Sequence, residues 1–245
     1  MKHIAIKLVL STIMISLCIL LKAQSNIEKH ALLYFPTDML MERQLYEYWQ
    51  NDTSFISLYT QAIGHSPNIN ELDSILNIQL YKIALNKNNR YSLVLQKLEE
   101  PILCHGYSKN VYRFTWFHNE LKYDYTPYSI RIEENNIDNH IMYVSYCHWN
   151  KNTNCSINHD TITMNKKKWQ DFIQIINEYD FGDAPSILDT LAIVYGGSVC
   201  ILESYINGQY HAIFRNETLD PKMGIVKKHL WKLTGLKRNK SKVGF

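Results

Sequence analysis

Two cysteines and two histidines lie close together in the stretch YCHWNKNTNCSINHD, residues 146 to 160. Such side chains can hold a zinc ion or, in an exported protein, form a disulfide. Zinc does not fit this spacing, because Cys147-x7-Cys155-x3-His159 lacks the close cysteine pair of a zinc knuckle. His148 directly follows Cys147, and neighbouring side chains of an extended chain point to opposite faces. We therefore predict no metal site and no cofactor, with both histidines at the surface.

The compartment in which the protein folds decides between a disulfide and free thiols. Residues 1–23 have the three-part layout of a secretory signal peptide: Lys2 and Lys7, an apolar run from Leu8 to Leu21, and the small residue Ala23. The apolar run is shorter than the roughly 20 residues of a membrane span. We expect cleavage near Gln24 and export to the periplasm or the extracellular space. The alternative is an uncleaved N-terminal anchor.

Four cysteines remain after such cleavage, and an even number in an exported protein favours disulfides. A Cys147–Cys155 bridge would close a short loop and stabilise the fold by about 2–3 kcal/mol in the chain-entropy model. We predict this bridge. Four free thiols, including Cys104 and Cys200, are the alternative in a compartment that lacks an oxidant.

Removal of the signal peptide makes the chain electrically neutral. It takes three of the 26 basic residues and none of the 23 acidic ones, so 26 − 3 = 23 basic residues face 23 acidic ones. Eight basic residues and no acids follow from Lys222 onward. Such a segment could contact anionic lipid or nucleic acid. We expect instead cations that stabilise a helix C-terminus, followed by a solvated tail over 237–245.

The periodicity of the apolar residues changes near residue 106. Residues 26–105 are predicted to be mainly helical, with DMLMERQLYEYWQ after Asp38 and NELDSILNIQLYKIALN after an N-cap at Asn70. Residues 106–236 contain alternating β-branched and aromatic runs and two amphipathic helices, the first capped by Asn165 and the second opened by Asp220-Pro221. We predict an α+β fold whose mainly antiparallel sheet has helices packed on one face.

The segment VCILESYINGQYHAIFR predicts a β-hairpin with a two-residue turn at Asn207-Gly208. Pairing across this turn places Glu203, Tyr205 and Tyr210 on one face, in an apolar and aromatic row. Burial there would raise the pKa of the Glu203 carboxyl, which suits a general acid or base. The alternative is a structural carboxylate bound by a tyrosine hydroxyl or a backbone N–H. His211 is predicted on the opposite face. We take Glu203, Tyr205 and Tyr210 as candidate binding residues.

The C-terminal third resembles a family of uncharacterised exported bacterial proteins. The resemblance is carried by the pattern Gly-Ser-x4-Glu-x4-Gly-x-Tyr-His, which is met by Gly197, Ser198, Glu203, Gly208, Tyr210 and His211. Cys200 stands where an aromatic residue is frequent, and Gly196 stands where an aspartate precedes the Gly-Ser pair. The family implies export but no activity.

No nucleophile elbow, phosphate-binding loop, zinc-protease motif or dinucleotide fingerprint occurs in the sequence. We therefore expect an exported, non-enzymatic protein that binds a ligand or a partner protein, of inhibitor or immunity type for example. A hydrolase that uses Glu203 is the first alternative, and an N-terminally anchored structural protein is the second. We expect no nucleic-acid partner, and membrane contact only transiently through the signal peptide.

Overall fold

The computed structural model describes residues 33–41, 43–118, 127–136, 139–149, 155–187 and 198–236. The predicted signal peptide, the basic tail and Gly196-Gly197 lie outside these residues. The described chain is an α+β structure in which helices precede and cover one antiparallel sheet, as the sequence predicted.

Five α-helices and six strands make up the described chain, after a short 3-10 helix at Thr37–Leu40. The helices are α1 (Arg43–Asn51), α2 (Thr53–Ile63), α3 (Ile69–Lys97), α4 (Lys166–Tyr179) and α5 (Pro221–Thr234). The strands are β1 (Val111–His118), β2 (Tyr128–Asn136), β3 (Asn139–Trp149), β4 (Cys155–Met164), β5 (Ser198–Ile206) and β6 (Gln209–Asn216).

The six strands form one sheet in the order β4-β3-β2-β1-β5-β6, and every neighbouring pair is antiparallel. The first four strands follow one another in the chain. The β5–β6 hairpin then joins the sheet beside β1, which makes β1 and β5 interior strands. Within the described residues, the only pairing between strands distant in the chain is therefore β1–β5, and it places a residue of β1 opposite Glu203 of β5.

Helices cover both faces of the sheet, and the predicted packing of helices on one face is part of this arrangement. Helices α4 and α5 cover one face, and their core includes Phe114, Trp116 and Phe172. The second half of α3 covers the other face and packs Tyr91 and Leu95 into a separate core with the hairpin. The amphipathic period of α3 predicted a helix but gave no indication of which sheet face the helix would bury.

Most of the predicted helix ends are confirmed. The Asn165 side chain accepts from Lys168 N, the Asp220 side chain accepts from Met223 N, and α5 ends at Gly235 with φ 69°. The N-cap prediction for α3 was wrong: Asn68 rather than Asn70 is the cap.

A reciprocal capping box explains the position of this N-cap. The Asn68 side chain accepts from the backbone N–H of Glu71, and the Glu71 carboxylate accepts from the backbone N–H of Asn68. Two of the free amides at the helix start are thereby satisfied. The sequence carries this signal, because glutamate stands three residues after the asparagine.

Candidate functional site

Glu203 lies in the middle of β5, on the face that the sequence predicted. The turn residues Asn207 and Gly208 have φ of 52° and 81°, as a two-residue hairpin of this type requires. The register places Glu203 directly opposite Ala212. His211 lies on the opposite face, where its Nε2 is 3.0 Å from the carbonyl oxygen of Phe181. The predicted assignment of the two hairpin faces is confirmed.

Glu203 is bound by an arginine that the sequence prediction missed. Arg113 of β1 stands opposite Glu203 in the β1–β5 register. Its Nε donates to Oε2 at 2.7 Å and its Nη2 donates to Oε1 at 2.7 Å, which makes a two-pronged ion pair. The Tyr210 hydroxyl donates to Oε1 at 2.9 Å. The predicted tyrosine partner is present, but the charge of Glu203 is balanced by Arg113.

The protonation states of the two partners follow from this geometry. Burial lowers the pKa of Arg113, but the charge and hydrogen bonds of Glu203 together with the charge of Glu100 outweigh it, so the pKa lies above its ordinary value. Burial and then Glu203 raise the pKa of Tyr210 well above its ordinary value. The guanidinium therefore stays charged and the phenol stays a donor. A carboxylate that accepts from both has no proton to donate, which disfavours the role of general acid.

The pair belongs to a larger group of charges, which we call the ionic cluster: Glu100, Lys109, Arg113, Arg131, Glu133 and Glu203. Glu100 Oε2 lies 3.0 Å from Arg131 Nε and 3.9 Å from Arg113 Nη1. Arg131 also pairs with Glu133, which accepts from Lys109 Nζ at 3.0 Å. Three carboxylates face two guanidinium groups and one ammonium group. The cluster is therefore charge-balanced, as buried charges must be.

The segment after α3 seals the centre of this cluster. Arg113 donates through Nη1 to the carbonyl oxygen of Pro101, and both side chains of the Arg113–Glu203 pair are 0% exposed. Gly106, at φ 102°, lies above Tyr205, and a Cβ at this glycine would stand 3.7 Å from the Tyr205 hydroxyl. Glu203 cannot contact a partner in solution, so its predicted role as a binding residue is not supported. Tyr205 is half-buried beneath the same segment.

A serine, a histidine and a glutamate form a second polar chain at the edge of the cluster. His159 of β4 lies with Nδ1 3.1 Å from Ser145 Oγ and with Nε2 3.1 Å from Glu99 Oε2. This order resembles the nucleophile, base and carboxylate of a hydrolase. Ser145 is buried, however, and its hydroxyl donates to Glu100 at 2.9 Å. Since a hydroxyl has one proton, donation to Glu100 leaves none for the imidazole to remove.

The backbone conformation of Glu99 positions its side chain to contact His159. Glu99 has φ 56°, in the left-handed region that glycine usually occupies after a helix. Its N–H bonds to Gln96 O at 3.1 Å, and Glu100 N–H bonds to Leu95 O at 3.0 Å, so the two residues end α3. A glutamate at such a position costs about 1 kcal/mol relative to glycine. Unlike glycine, the glutamate has a side chain that contacts His159 and thereby links the end of α3 to β4.

The cysteines occupy three different environments. Cys104 and Cys200 are free thiols. Burial and then the Glu203 carboxylate raise the pKa of Cys104 to about 11, and burial raises the pKa of Cys200 far above its ordinary value. Cys147 is buried, and the backbone register places it opposite Ile157, two residues from Cys155 on the same face. The Cys155 side chain lies outside the described residues, so the Cys147–Cys155 bridge stays a prediction.

Among the described residues, no three histidine, cysteine or acidic side chains come close enough to hold a metal ion. None of the described helices combines the length and the apolar character that crossing a bilayer requires. Neither a known protein-family model nor a curated protein matches this sequence. The resemblance of the C-terminal third to exported bacterial proteins stays a prediction.

Proposed function

We propose that the chain is an exported, non-enzymatic protein that binds a partner through the outer surface of its helix layer, α4 and α5. The observation that carries this proposal is the contrast between the two faces of the sheet. On one face, the ionic cluster is sealed and charge-balanced. On the other face, the outer side of α4 is open and forms a shallow groove lined by Trp169, Gln170, Ile173, Gln174, Asn177 and Glu178.

The groove combines the two kinds of group that recognition needs. Trp169 and Ile173 are half-buried, so each offers apolar surface that a partner could cover. Exposed amides stand beside them, at Gln170 and Gln174. An amide both donates and accepts, and can therefore satisfy the backbone of a bound segment. A binding protein of inhibitor or immunity type is one form that this function could take.

The hydrolase alternative has no observation in its favour at Glu203, because Arg113 and Tyr210 bind both oxygens of the buried carboxylate. The Ser145–His159–Glu99 chain has the order of a catalytic triad, but its serine is buried and bonded to Glu100. The alternative of an N-terminal anchor depends on residues 1–23, which lie outside the described residues. Partner binding is the function that the described geometry supports best.

Site-specific photo-crosslinking tests the proposal in the native host. A photoreactive amino acid replaces Gln174 on the outer side of α4, and a control replaces Gln96, which is exposed on α3 at the opposite face of the sheet. We expect an adduct from position 174 and not from position 96. Equal adducts from both positions, or none from position 174, would refute binding through the helix layer.

A further inference from the structure

Three consecutive lysines occupy the first turn of α4, where helix electrostatics disfavours them. Lys166, Lys167 and Lys168 directly follow the cap residue Asn165, and this first turn holds no acid. The amide end of a helix carries a partial positive charge, so cations there lower the stability of the helix. Positions that break a local rule are expected where function requires them. The preference of cations for helix C-termini, which accounts for basic residues at the end of α5, does not account for these lysines.

The packing of α4 shows where these lysines lie on the sheet. Trp169, in the first turns of α4, stacks on His140 of β3 with ring centroids 3.7 Å apart. Phe181, just after the helix, contacts His211 of β6 at 4.8 Å. Helix α4 therefore crosses the strands from β3 towards β6, and its lysines lie at the β3 side of the layer.

Helix α5 crosses the sheet in the opposite direction. Its cap residue Asp220 lies 3.4 Å from Arg215 of β6, and Trp231 near its end contacts Tyr128 of β2 at 5.0 Å. The start of α4 and the end of α5 therefore lie at the same side of the helix layer. We call this region the cationic end. Its lysines are Lys166, Lys167, Lys168, Lys228 and Lys232, of which Lys168 alone is half-buried and the others are exposed.

Not every basic residue after position 222 belongs to this surface. Lys227 is buried, pairs with both carboxylate oxygens of Glu217 and lies 5.2 Å above the Trp116 ring. It fixes α5 to the sheet, a contact that the sequence analysis did not predict. The sequence adds four more cations directly after the end of α5, within residues 237–245.

Among the residues that the structure describes, the acids around the cationic end are fewer than the lysines. Asp160, Asp171 and Glu134 face this side of the sheet, and all three are half-buried. Glu134 accepts from the Asn110 amide at 2.8 Å. The exposed acids of the α4 region, such as Glu178, lie at the other end of the helix. The five lysines therefore give the described part of this end a net positive charge, before the basic tail is counted.

An apolar side chain projects from the first half of α5, about two turns before Lys232 of the cationic end. Ile225 of α5 is 57% exposed, and Lys222 and Lys228 flank it three residues before and after, on the same side of the helix. A large apolar side chain among lysines is typical of helices that lie on a lipid surface, where lysines meet headgroup phosphates and the apolar group enters the boundary of the acyl chains.

We propose that the cationic end and Ile225 dock on a membrane surface of anionic phospholipid headgroups. This inference rests on the proposed function and names its partner surface. A lipid surface fits better than nucleic acid, because Ile225 gains from insertion into lipid and gains nothing from a phosphate backbone. Nucleic-acid binding without sequence preference also uses exposed aromatic stacking platforms. At the cationic end Trp231 is buried, and Trp169 already stacks on His140.

Vesicle co-sedimentation tests the proposal with the full chain. Neutral phosphatidylcholine vesicles are compared with vesicles that contain phosphatidylglycerol. Any contribution of residues 1–23 is common to all variants and appears with the neutral vesicles. We expect tighter binding to the anionic vesicles and a steep loss of binding as salt screens the charges. Each lysine near an anionic surface contributes about fivefold in affinity, so Lys166→Gln, Lys167→Gln and Lys168→Gln together should weaken binding on the order of 100-fold.

Two further variants make the result specific. The control replaces Lys82, Arg90 and Lys97 of α3 by glutamine, which removes the same charge from the opposite face of the sheet. Because a cation contributes to binding only near the lipid surface, this variant should bind within about twofold of the wild type. Ile225→Ser keeps the charge and should weaken binding by about tenfold, since an apolar side chain no longer enters the lipid. The α4 triple variant should unfold at the same temperature as the wild type or higher, because lysines are removed from a helix N-terminus.

Equal losses from the α4 and α3 triple variants would overturn the proposal, as would equal binding to neutral and anionic vesicles. Tighter binding to duplex DNA than to anionic vesicles at the same salt concentration would replace lipid by nucleic acid. A protein adduct at Gln174 without preferential binding to anionic vesicles would leave the proposed partner-binding function standing and remove only the lipid assignment.

Discussion

Replacement of Glu203 by glutamine is the sharpest test of the ionic cluster. The variant keeps the shape of the side chain and removes its charge. Arg113 is 0% exposed and now has two Glu203 carboxylate oxygens at 2.7 Å. In the variant, the carboxylate oxygen nearest to Arg113 would be that of Glu100, at 3.9 Å. Removal of one partner of a buried ion pair costs about 3–5 kcal/mol. The amide oxygen can still accept one bond, so we expect a loss of about 3 kcal/mol in the free energy of unfolding.

Urea unfolding followed by circular dichroism measures this loss, with an unchanged dependence on denaturant as the sign that the fold is retained. Glu47→Gln, at an exposed position of α1, is the matched control and should change stability by less than about 0.5 kcal/mol. The double variant Arg113→Met with Glu203→Leu removes both charges and should recover most of the loss, since apolar pairs replace buried ion pairs at little cost. A loss below about 1 kcal/mol for Glu203→Gln, together with additive effects in the double variant, would show that the pair is not buried as described.

Three other predictions concern the cysteines and the N-terminus. The Cys104 thiol should react with iodoacetamide slowly at pH 8, and its reaction rate should rise with pH up to about pH 11, because its pKa is raised to about 11. Glu203→Gln should lower the midpoint of this rate–pH curve. A wild-type midpoint near pH 8.5 would contradict the described burial. Since the folded pKa exceeds the unfolded one, the contribution of this thiol to stability is complete below about pH 8.5 and is lost as pH rises towards 11. Non-reducing peptide mapping of the native protein should recover a Cys147–Cys155 crosslink; alkylation of both thiols would exclude it. N-terminal sequencing of the exported protein should begin within a few residues of Gln24, and an intact N-terminus on the mature protein would favour the anchor.

The local sequence was sufficient to predict the hairpin and most helix ends. Asn207-Gly208 fixes a two-residue turn, and the alternation of side chains then fixes the face of every residue on both strands. Asn165, Asp220 and Gly235 end their helices through contacts within a few residues, so their signals can be read without knowledge of the fold. Asn68 rather than Asn70 is the cap of α3, because only Asn68 has a glutamate three residues later to complete a capping box.

The tertiary structure decided what Glu203 does. Its partner Arg113 lies 90 residues earlier in the chain, on a strand whose neighbour depends on where the last hairpin joins the sheet. A lone arginine in the apolar run VYRFTWF and a lone glutamate in the run VCILESY were visible as a possible pair, because a charge in a buried strand requires a compensating one. Nothing local, however, places β1 beside β5.

The tertiary structure also decided which lysines of the helix layer lie together. The sequence shows the basic residues at the start of α4 and after Lys222 as two separate runs. Only the antiparallel crossing of α4 and α5 over the sheet brings them to one end of the layer and separates them from the acids at the other. Only the fold removes Lys227 from this surface and pairs it with Glu217. Contacts between neighbours in sequence follow from residue type and spacing, whereas contacts between distant elements follow from the topology that packs both faces of the sheet.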